Sequence, residues 1–267
     1  MYKQIYDSRA LLIYLAVKYE GDYEKIVRAL QLNEEVPRYE ALKLCQSLKC
    51  EAITLLDYDY PQRLKNTYRP PIVLFYYGDI SLIDDNHEFL GVVGSRDFDE
   101  YGKKSAETII SQMIRGRVLV SGLARGIDTL GHQCAIDNGG RTIAVLGSGI
   151  DYCYPAENQE LYEEIKKNHL VISEYPGKTV PNPNQFPMRN RIVVGLSNAL
   201  FVPQINSLRS GTMISLNIAT QLNLSVFVTP WPVGHEVATV NNYLINEGAF
   251  AVESGQQILD DLGWSKK

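Results

Sequence analysis

The spacing of hydrophobic residues divides the chain into two regions. Up to about residue 50, apolar positions recur with the spacing of an α-helix, and three short helices are predicted. The apolar face of the first predicted helix is formed by Leu11, Leu12, Leu15, Ala16 and Tyr19. Because this region is too short to hold the main core, we expect a small helical domain over residues 1–52 and a larger domain over residues 53–267.

After the helical region, short apolar runs alternate with helical stretches such as residues 102–114 and 212–222. Runs that are apolar on both faces are typical of a parallel sheet covered by helices on each side. The sequence therefore predicts an α/β fold with a doubly wound, mostly parallel sheet. The predicted strands are residues 89–94, 118–121, 142–146, 170–173, 199–203, 226–229 and 250–252, with a further strand at 72–77 where the chain enters the sheet.

The charge balance limits the kind of surface that could bind a polyanion. The chain is 45% hydrophobic and 21% charged, as in ordinary soluble proteins, and its net charge is -5. A nucleic-acid site would therefore have to be a local group of basic residues. The first residues do not form a signal peptide, and no apolar stretch is long enough to cross a bilayer, so we expect a cytoplasmic protein with no membrane partner.

Neither a metal nor a nucleotide cofactor is expected. The four cysteines contain no CxxC pair and the four histidines lie far apart, which predicts reduced thiols and no metal site. A Walker A sequence is absent, and Gly147-Ser148-Gly149 is not followed by the rest of a dinucleotide-binding fingerprint.

Three turns that follow predicted strands carry small residues and lead into helices. They are Gly94-Ser95-Arg96, a turn over residues 121–126 that contains Ser121, Gly122, Arg125 and Gly126, and Ser210-Gly211. Glycine lets backbone N–H groups approach a ligand, and helix N-termini favour negative charge. Ligands of an open parallel sheet bind beyond the carboxyl ends of its strands. The three turns together therefore predict a phosphate-binding site.

An irregular segment over residues 173–191 contains four prolines and is predicted to be a long functional loop. It ends in Phe186 and in a basic group formed by Arg189, Asn190 and Arg191. Arginine presents forked donors to phosphate, and a phenylalanine ring can stack on a base. Two alternatives stay open: Phe186 fills the core, or one of the arginines makes an internal ion pair.

Three further residues, Asp128, His132 and Glu174, are candidates for acid–base chemistry. Their spacing produces neither a Ser–His–Asp set nor a pair of catalytic carboxylates. We expect Asp128 to brace its loop and His132 to pack within its helix, so we predict no catalytic residue.

Several motifs in a fixed order make the chain similar to the DNA-processing protein A family, also called DprA or Smf. The similarity extends over roughly residues 58–253. The motifs are Gly94-Ser95-Arg96, Ser121-Gly122-x-Ala124-x-Gly126-Ile127-Asp128, residues 142–147, Tyr154-Pro155, Phe186-Pro187-x-Arg189-Asn190-Arg191-Ile192, Ser210-Gly211 and Asn242-x-Leu244-Ile245-x-x-Gly248-Ala249.

The resemblance implies an extended Rossmann-like fold that binds single-stranded DNA and is not an enzyme. It also implies a homodimer that protects incoming DNA and helps to load the RecA recombinase in natural transformation and recombination. The helices over residues 1–52 resemble a sterile-alpha-motif-like domain that some members carry. The turns, the irregular segment and the resemblance together predict these DNA-binding residues: Gly94, Ser95, Arg96, Ser121, Gly122, Arg125, Gly126, Lys178, Phe186, Arg189, Asn190, Arg191, Ser210 and Gly211.

Two departures from the family pattern, Pro203-Gln204-Ile205-Asn206 and residues 229–236, put the dimer or partner surface in question rather than the DNA pocket. A nucleotide-processing Rossmann-like hydrolase is the alternative function, although Ser210-Gly211-Thr212 lacks the Pro-Gly-Gly setting of such enzymes. An adaptor that acts through the N-terminal helices is a third hypothesis.

Overall fold

The structure is a computed structural model that describes residues 2–235 and 238–265, and the side chains of all of these except residues 2–7, 238 and 239. The outer ends of the two predicted domains, residues 1, 266 and 267, lie outside this range. So do residues 236 and 237, the first of which belongs to the predicted departure at residues 229–236. The N-terminal region forms three helices, as the sequence predicts. They are α1 (Tyr2–Lys18), α2 (Tyr23–Gln31) and α3 (Arg38–Ser47).

A nine-stranded sheet forms the centre of the described part of the chain. Its strands are β1 (Glu51–Thr54), β2 (Val73–Gly78), β3 (Phe89–Val92), β4 (Val118–Ser121), β5 (Arg141–Gly149), β6 (Leu170–Tyr175), β7 (Ala199–Val202), β8 (Ser225–Val228) and β9 (Phe250–Ala251). The spatial order is β1-β2-β6-β5-β4-β3-β7-β8-β9. The β1–β2 and β2–β6 pairs are antiparallel and all other pairs are parallel, which confirms the predicted mostly parallel sheet.

Helices cover both faces of the sheet, as expected for a doubly wound fold. They are α4 (Gln62–Lys65), α5 (Glu100–Met113), α6 (Ile127–Asp137), α7 (Gln159–Asn168), α8 (Gln185–Leu196), α9 (Gly211–Gln221), α10 (Ala238–Asn246) and α11 (Gly255–Leu262). Helices α4, α8, α9 and α10 share one apolar cluster with the sheet, whereas α5, α6 and α11 pack on the opposite face. The alternation of side chains along each strand separates the two clusters.

The N-terminal helices do not stand apart from the sheet. Leu12 and Leu15 of α1 belong to the same buried cluster as Phe75 of β2 and Val171 of β6. At the turn between α1 and α2, Gly21 has φ +75° and packs against the backbone carbonyl of Glu174. The predicted boundary between residues 52 and 53 falls inside β1, so the division into two folding domains stays a prediction.

Two segments differ from the sequence-based expectation. Strand β1 is not among the predicted strands, because a four-residue strand directly after a helix leaves little pattern to detect. Residues 173–191 are not one long loop, because β6 continues to Tyr175 and α8 begins at Gln185. Pro187 makes α8 difficult to recognise in the sequence. Proline is nevertheless tolerated in the first turn of a helix, because its missing N–H costs no hydrogen bond there.

The direction in which successive strands are added to the sheet reverses between β3 and β7, which are adjacent and parallel. Successive strands β3 to β6 extend in one direction and β7 to β9 in the other. In open α/β sheets, such a reversal leaves a crevice at the carboxyl ends of the strands. Among the described residues, none of the helices has the length and apolar composition needed to cross a membrane.

Candidate functional site

A cleft of about 750 Å³ lies beyond the carboxyl ends of β3, β4, β5 and β7, at the reversal point of the sheet. The turns after β3 and β4, the start of α8 and the turn before α9 form its walls. The structure thus brings together most of the site residues predicted from the sequence. Those that line the cleft are Gly94, Ser95, Arg96, Gly122, Arg125, Phe186, Arg189, Asn190, Ser210 and Gly211.

Three glycines let side chains of α8 and the neighbouring loops lie close to the sheet edge. A Cβ atom on Gly122 would overlap the guanidinium of Arg189, and one on Gly147 would lie 2.7 Å from the Phe186 ring. A Cβ on Gly94 would be 2.8 Å from the carbonyl oxygen of Gln204. The absence of side chains at these positions therefore creates the floor of the cleft.

Arg189 is the most buried basic group of the cleft, with only 6% of the residue exposed. Its Nη1 donates to the carbonyl oxygen of Val145 at 2.7 Å, and its buried Nε has no hydrogen-bond partner in the described part of the chain. Burial lowers the pKa of Arg189, and the nearby carboxylate of Asp128 opposes that shift. Among the described residues, Arg189 therefore places a positive charge with one unused donor in the wall of the cleft.

Asp128 lies at the start of α6 and accepts hydrogen bonds from the backbone. Its Oδ2 is 3.1 Å from the N–H of Gly122 and 3.4 Å from the N–H of Ala124. Burial raises the pKa of this carboxyl, whereas the charge of Arg189 acts in the opposite direction. The carboxylate braces the turn after β4, as the sequence predicts, and faces the inner arginine of the cleft.

The helix ends at the cleft add polarised donors. α6 and α9 both begin at its wall, and helix N-termini favour anions. Ser210 is the N-cap of α9, yet its side chain makes no capping hydrogen bond and its buried Oγ has no partner among the residues that the structure describes. The structure therefore gives the hydroxyl of Ser210 no partner within the described ranges, although it lies at the start of a helix that borders the cleft.

An aromatic pair stands at the rim. The ring of Phe186 is half-buried and lies 5.7 Å from the ring of Tyr154, centroid to centroid, with an interplanar angle of 40°. Tyr154 is 46% exposed. In the sequence, Tyr154 is recognisable only as part of a family motif. Its place beside Phe186 cannot be found from spacing, because the two residues belong to different segments of the chain.

Two exposed arginines lie at the rim of the cleft. Arg96, at the end of the turn after β3, makes no hydrogen bond or ion pair with any residue that the structure describes. Arg125, in the turn after β4, forms an ion pair with Asp97 at 2.8 Å. The cleft therefore presents one arginine that is open to solvent, one that is paired at the rim and one that is buried.

Four predicted site residues lie outside the cleft lining, and each has a physical reason. The hydroxyl of Ser121 is buried and donates to the carbonyl oxygen of Val92 at 2.6 Å. Gly126, with φ +89°, packs beneath the carbonyl groups of Ser95 and Arg96. Lys178 belongs to a second cleft of about 890 Å³, between the α1–α2 turn and the segment before α8.

Arg191 is the fourth predicted site residue outside the cleft lining. It makes an internal ion pair, which the sequence left open for one of the two arginines. Its Nη1 and Nη2 each donate to the carboxylate of Glu174 at 2.6 Å, and its Nε donates to the carbonyl oxygens of Tyr68 and Arg69. The side chain of Arg191 is only 4% exposed. Its donors are therefore occupied within the fold.

The remaining candidates for acid–base chemistry are packed in the interior. Nδ1 of His132 lies 2.6 Å from Oγ1 of Thr142, and burial lowers the pKa of His132 to about 3. No group of three or more His, Cys, Asp or Glu residues in the described ranges is placed to hold a metal ion. The four cysteines are unpaired.

Comparisons with known proteins give the family. Residues 51–263 match the model of the family described as DNA recombination-mediator protein A. The chain is 40% identical over 211 residues to the DNA processing protein DprA of Streptococcus pneumoniae, covering 79% of this chain and 74% of that protein. It is 35% identical over 242 residues to the DprA of Bacillus subtilis, covering 88% and 81% of the two chains.

Solved structures agree with this result. The X-ray structure of DprA from Streptococcus pneumoniae aligns with a TM-score of 0.79 and 33% identity, over 97% of this chain and 96% of that one. A structure of DprA from Helicobacter pylori, described as giving insight into its single-stranded DNA binding mode, aligns with a TM-score of 0.70 and 28% identity, over 81% and 96% of the two chains. The chain therefore belongs to the DNA recombination-mediator protein A family, whose members are named DprA or Smf.

Proposed function

We propose that this chain binds single-stranded DNA in the cleft, without covalent chemistry. The observation that carries the proposal is that Arg96, Arg189 and the helix start at Ser210 share one cleft with the Phe186–Tyr154 pair. Basic side chains and helix N-termini suit phosphate, and exposed aromatic rings suit unpaired bases. The relative from Helicobacter pylori is a protein whose described binding mode is for single-stranded DNA.

The arrangement favours a single strand over a duplex for a steric reason. In a duplex, the faces of the bases are stacked on one another and cannot contact Phe186 or Tyr154 unless the helix opens. A single strand can place a phosphate near Arg189 and a neighbouring base near the aromatic pair. We therefore expect binding that depends on both backbone charge and base stacking.

The proposal is tested by titrating labelled single-stranded and double-stranded oligonucleotides with the protein at two salt concentrations. We expect tighter binding of the single strand. Arg96→Ala removes the open arginine and should weaken binding, with a decrease of about 0.7 in the log–log salt slope for each phosphate that the variant no longer neutralises. Arg115→Ala is the matched control, because Arg115 is exposed between α5 and β4, at the opposite edge of the sheet. Equal binding by the parent and Arg96→Ala would refute this site.

The role in the cell that we propose follows from the family. The chain would act in the cytoplasm as a homodimer that protects incoming strands and helps to load RecA during transformation and recombination. Sedimentation of the purified protein tests the dimer. A RecA strand-exchange assay on DNA coated with a single-strand-binding protein tests loading. A monomer, or no gain in RecA activity, would contradict these parts of the proposal without affecting the DNA site.

We further propose that the protein is not an enzyme. The buried carboxylate in the cleft, Asp128, accepts two backbone N–H groups, and the carboxylate of Asp97 is paired with Arg125. Neither of these two carboxylates is a free general base, and no hydrogen bond from the described residues orients the third carboxylate of the lining, that of Glu157. Incubation with nucleoside monophosphates should release no free base, and release of base would favour the nucleotide-hydrolase alternative.

A further inference from the structure

The charged residues that line the cleft are balanced, which is unexpected for a site that binds a polyanion. The basic residues are Arg96, Arg125 and Arg189, and the acidic residues are Asp97, Asp128 and Glu157. Because the two sets are equal in number, their charges alone do not attract phosphate. The attraction depends on how deeply each carboxylate is buried and on which groups it contacts.

The carboxylates differ in their surroundings. Asp128 is buried and accepts the N–H groups of Gly122 and Ala124. Asp97 is at the rim, and its side chain is 81% exposed. It pairs with Arg125, whose side chain is 55% exposed, and the pair joins the turn after β3 to the turn after β4. A solvent-exposed ion pair of this kind is weak, so another anion can replace the carboxylate at little cost.

The turn that carries Asp97 is held by contacts that do not involve its carboxylate. The Nδ2 group of Asn206 donates to the backbone carbonyl of Asp97 at 2.8 Å. The backbone N–H of Asn206 donates to Oγ of Ser95, also at 2.8 Å. The side chain of Asp97 can therefore leave Arg125 while the backbone of the turn keeps its position.

We propose that Asp97 competes with DNA phosphate for Arg125 and thereby limits how tightly the cleft holds a strand. The inference rests on the proposed function. When a phosphate binds Arg125, the guanidinium exchanges one anionic partner for another, so the net gain is small. The displaced carboxylate also stays beside the strand and repels it. The consequence is faster release, which suits a protein that passes a strand to another.

Asp97→Asn tests the proposal, because asparagine keeps the size of the side chain and removes its charge. The variant should bind a labelled oligothymidylate about two- to fivefold more tightly at low salt, with slower dissociation. Glu157→Gln is the matched control, since it removes one exposed carboxylate from the same cleft and Glu157 makes no ion pair with the described residues. Its gain in affinity should be clearly smaller.

The gain must also depend on Arg125. In an Arg125→Ala background, Asp97→Asn should add no more affinity than Glu157→Gln does. An unchanged or weaker affinity of Asp97→Asn, or an equal gain with and without Arg125, would overturn the inference. Different results would contradict the proposed function itself. These are no binding of single strands by the parent protein, or equal binding by the parent and Arg96→Ala.

Discussion

The guanidinium of Arg189 fills the space where a side chain on Gly122 would begin. It cannot move aside freely, because its Nη1 is bonded to Val145 and the residue is only 6% exposed. The close approach of these two residues couples the turn after β4 to α8. It fixes the position of the inner positive charge of the cleft.

Gly122→Ala should therefore displace Arg189 and weaken DNA binding several-fold. Overpacking of this kind costs about 1–3 kcal/mol of folding free energy, so the protein should remain folded at room temperature. Oligonucleotide titration and urea unfolding measure the two effects. If the variant acts through the arginine, adding Arg189→Lys to Gly122→Ala should lower the affinity little further. A full additive loss would show that the two residues act independently.

Phe186→Ala should weaken single-strand binding by roughly tenfold or more, because stacking on an aromatic ring contributes about 1–3 kcal/mol per base. Fluorescence anisotropy with an oligothymidylate measures the change, and Phe186→Trp should restore most of the affinity. Tyr58→Ala is the control, since Tyr58 is 97% exposed and is absent from the cleft lining. Equal affinities for Phe186→Ala and Tyr58→Ala would contradict a stacking role.

Arg191→Leu should lower stability without abolishing the DNA site. It leaves Glu174 buried and without its cation, which typically costs about 3–5 kcal/mol. Lys25→Leu removes one partner of an exposed ion pair with Asp22 and should cost about 1 kcal/mol or less. Urea unfolding gives both values. At a temperature where Arg191→Leu is folded, its affinity for single strands should remain close to that of the parent. A selective loss of affinity would instead indicate that Arg191 contacts DNA.

His132 should make the folded state less stable as the pH falls below about 6.5. The pKa of His132 is about 3 in the folded protein, against about 6.5 in an unfolded chain. Between these values the unfolded state binds a proton that the folded state does not, so acid favours unfolding. The loss can approach about 1.4 kcal/mol per pH unit for this residue. His169, whose pKa is also lowered by burial, acts in the same direction.

Urea unfolding at a series of pH values between about 4 and 7 measures this dependence. His132→Gln should flatten the curve, because glutamine does not bind the proton. His87→Gln is the control, since His87 lies before β3, is only partly buried and belongs to none of the buried clusters. A slope that is the same in the parent and in His132→Gln would rule out His132 as a source of the pH dependence.

The sheet and the cleft were predictable from the sequence for a simple reason. Runs that are apolar on both faces identify central parallel strands, and the glycine-containing turns after them must meet at one edge. This is why residues as distant as Arg96 and Ser210 could be placed together. The antiparallel edge strand β1 gave no such pattern, because it is short and its first residue is exposed.

The roles of the individual arginines could not be predicted. Arg189 and Arg191 are two positions apart in α8, so their side chains diverge by about 200° around the helix. Only one of them can face the cleft, but the four prolines around them gave the segment the pattern of a loop. The arginine that forms the buried ion pair is decided by the position of Glu174. This residue lies on β6, and the fold places it next to Arg191.

Amide hydrogen–deuterium exchange of the protein with and without a saturating oligothymidylate tests the location of the DNA most directly. We predict that protection appears in residues 94–97, 122–126 and 207–212 and at the start of α8. Protection confined to the opposite edge of the sheet, around residues 114–117 and 138–141, would contradict a DNA site in the cleft.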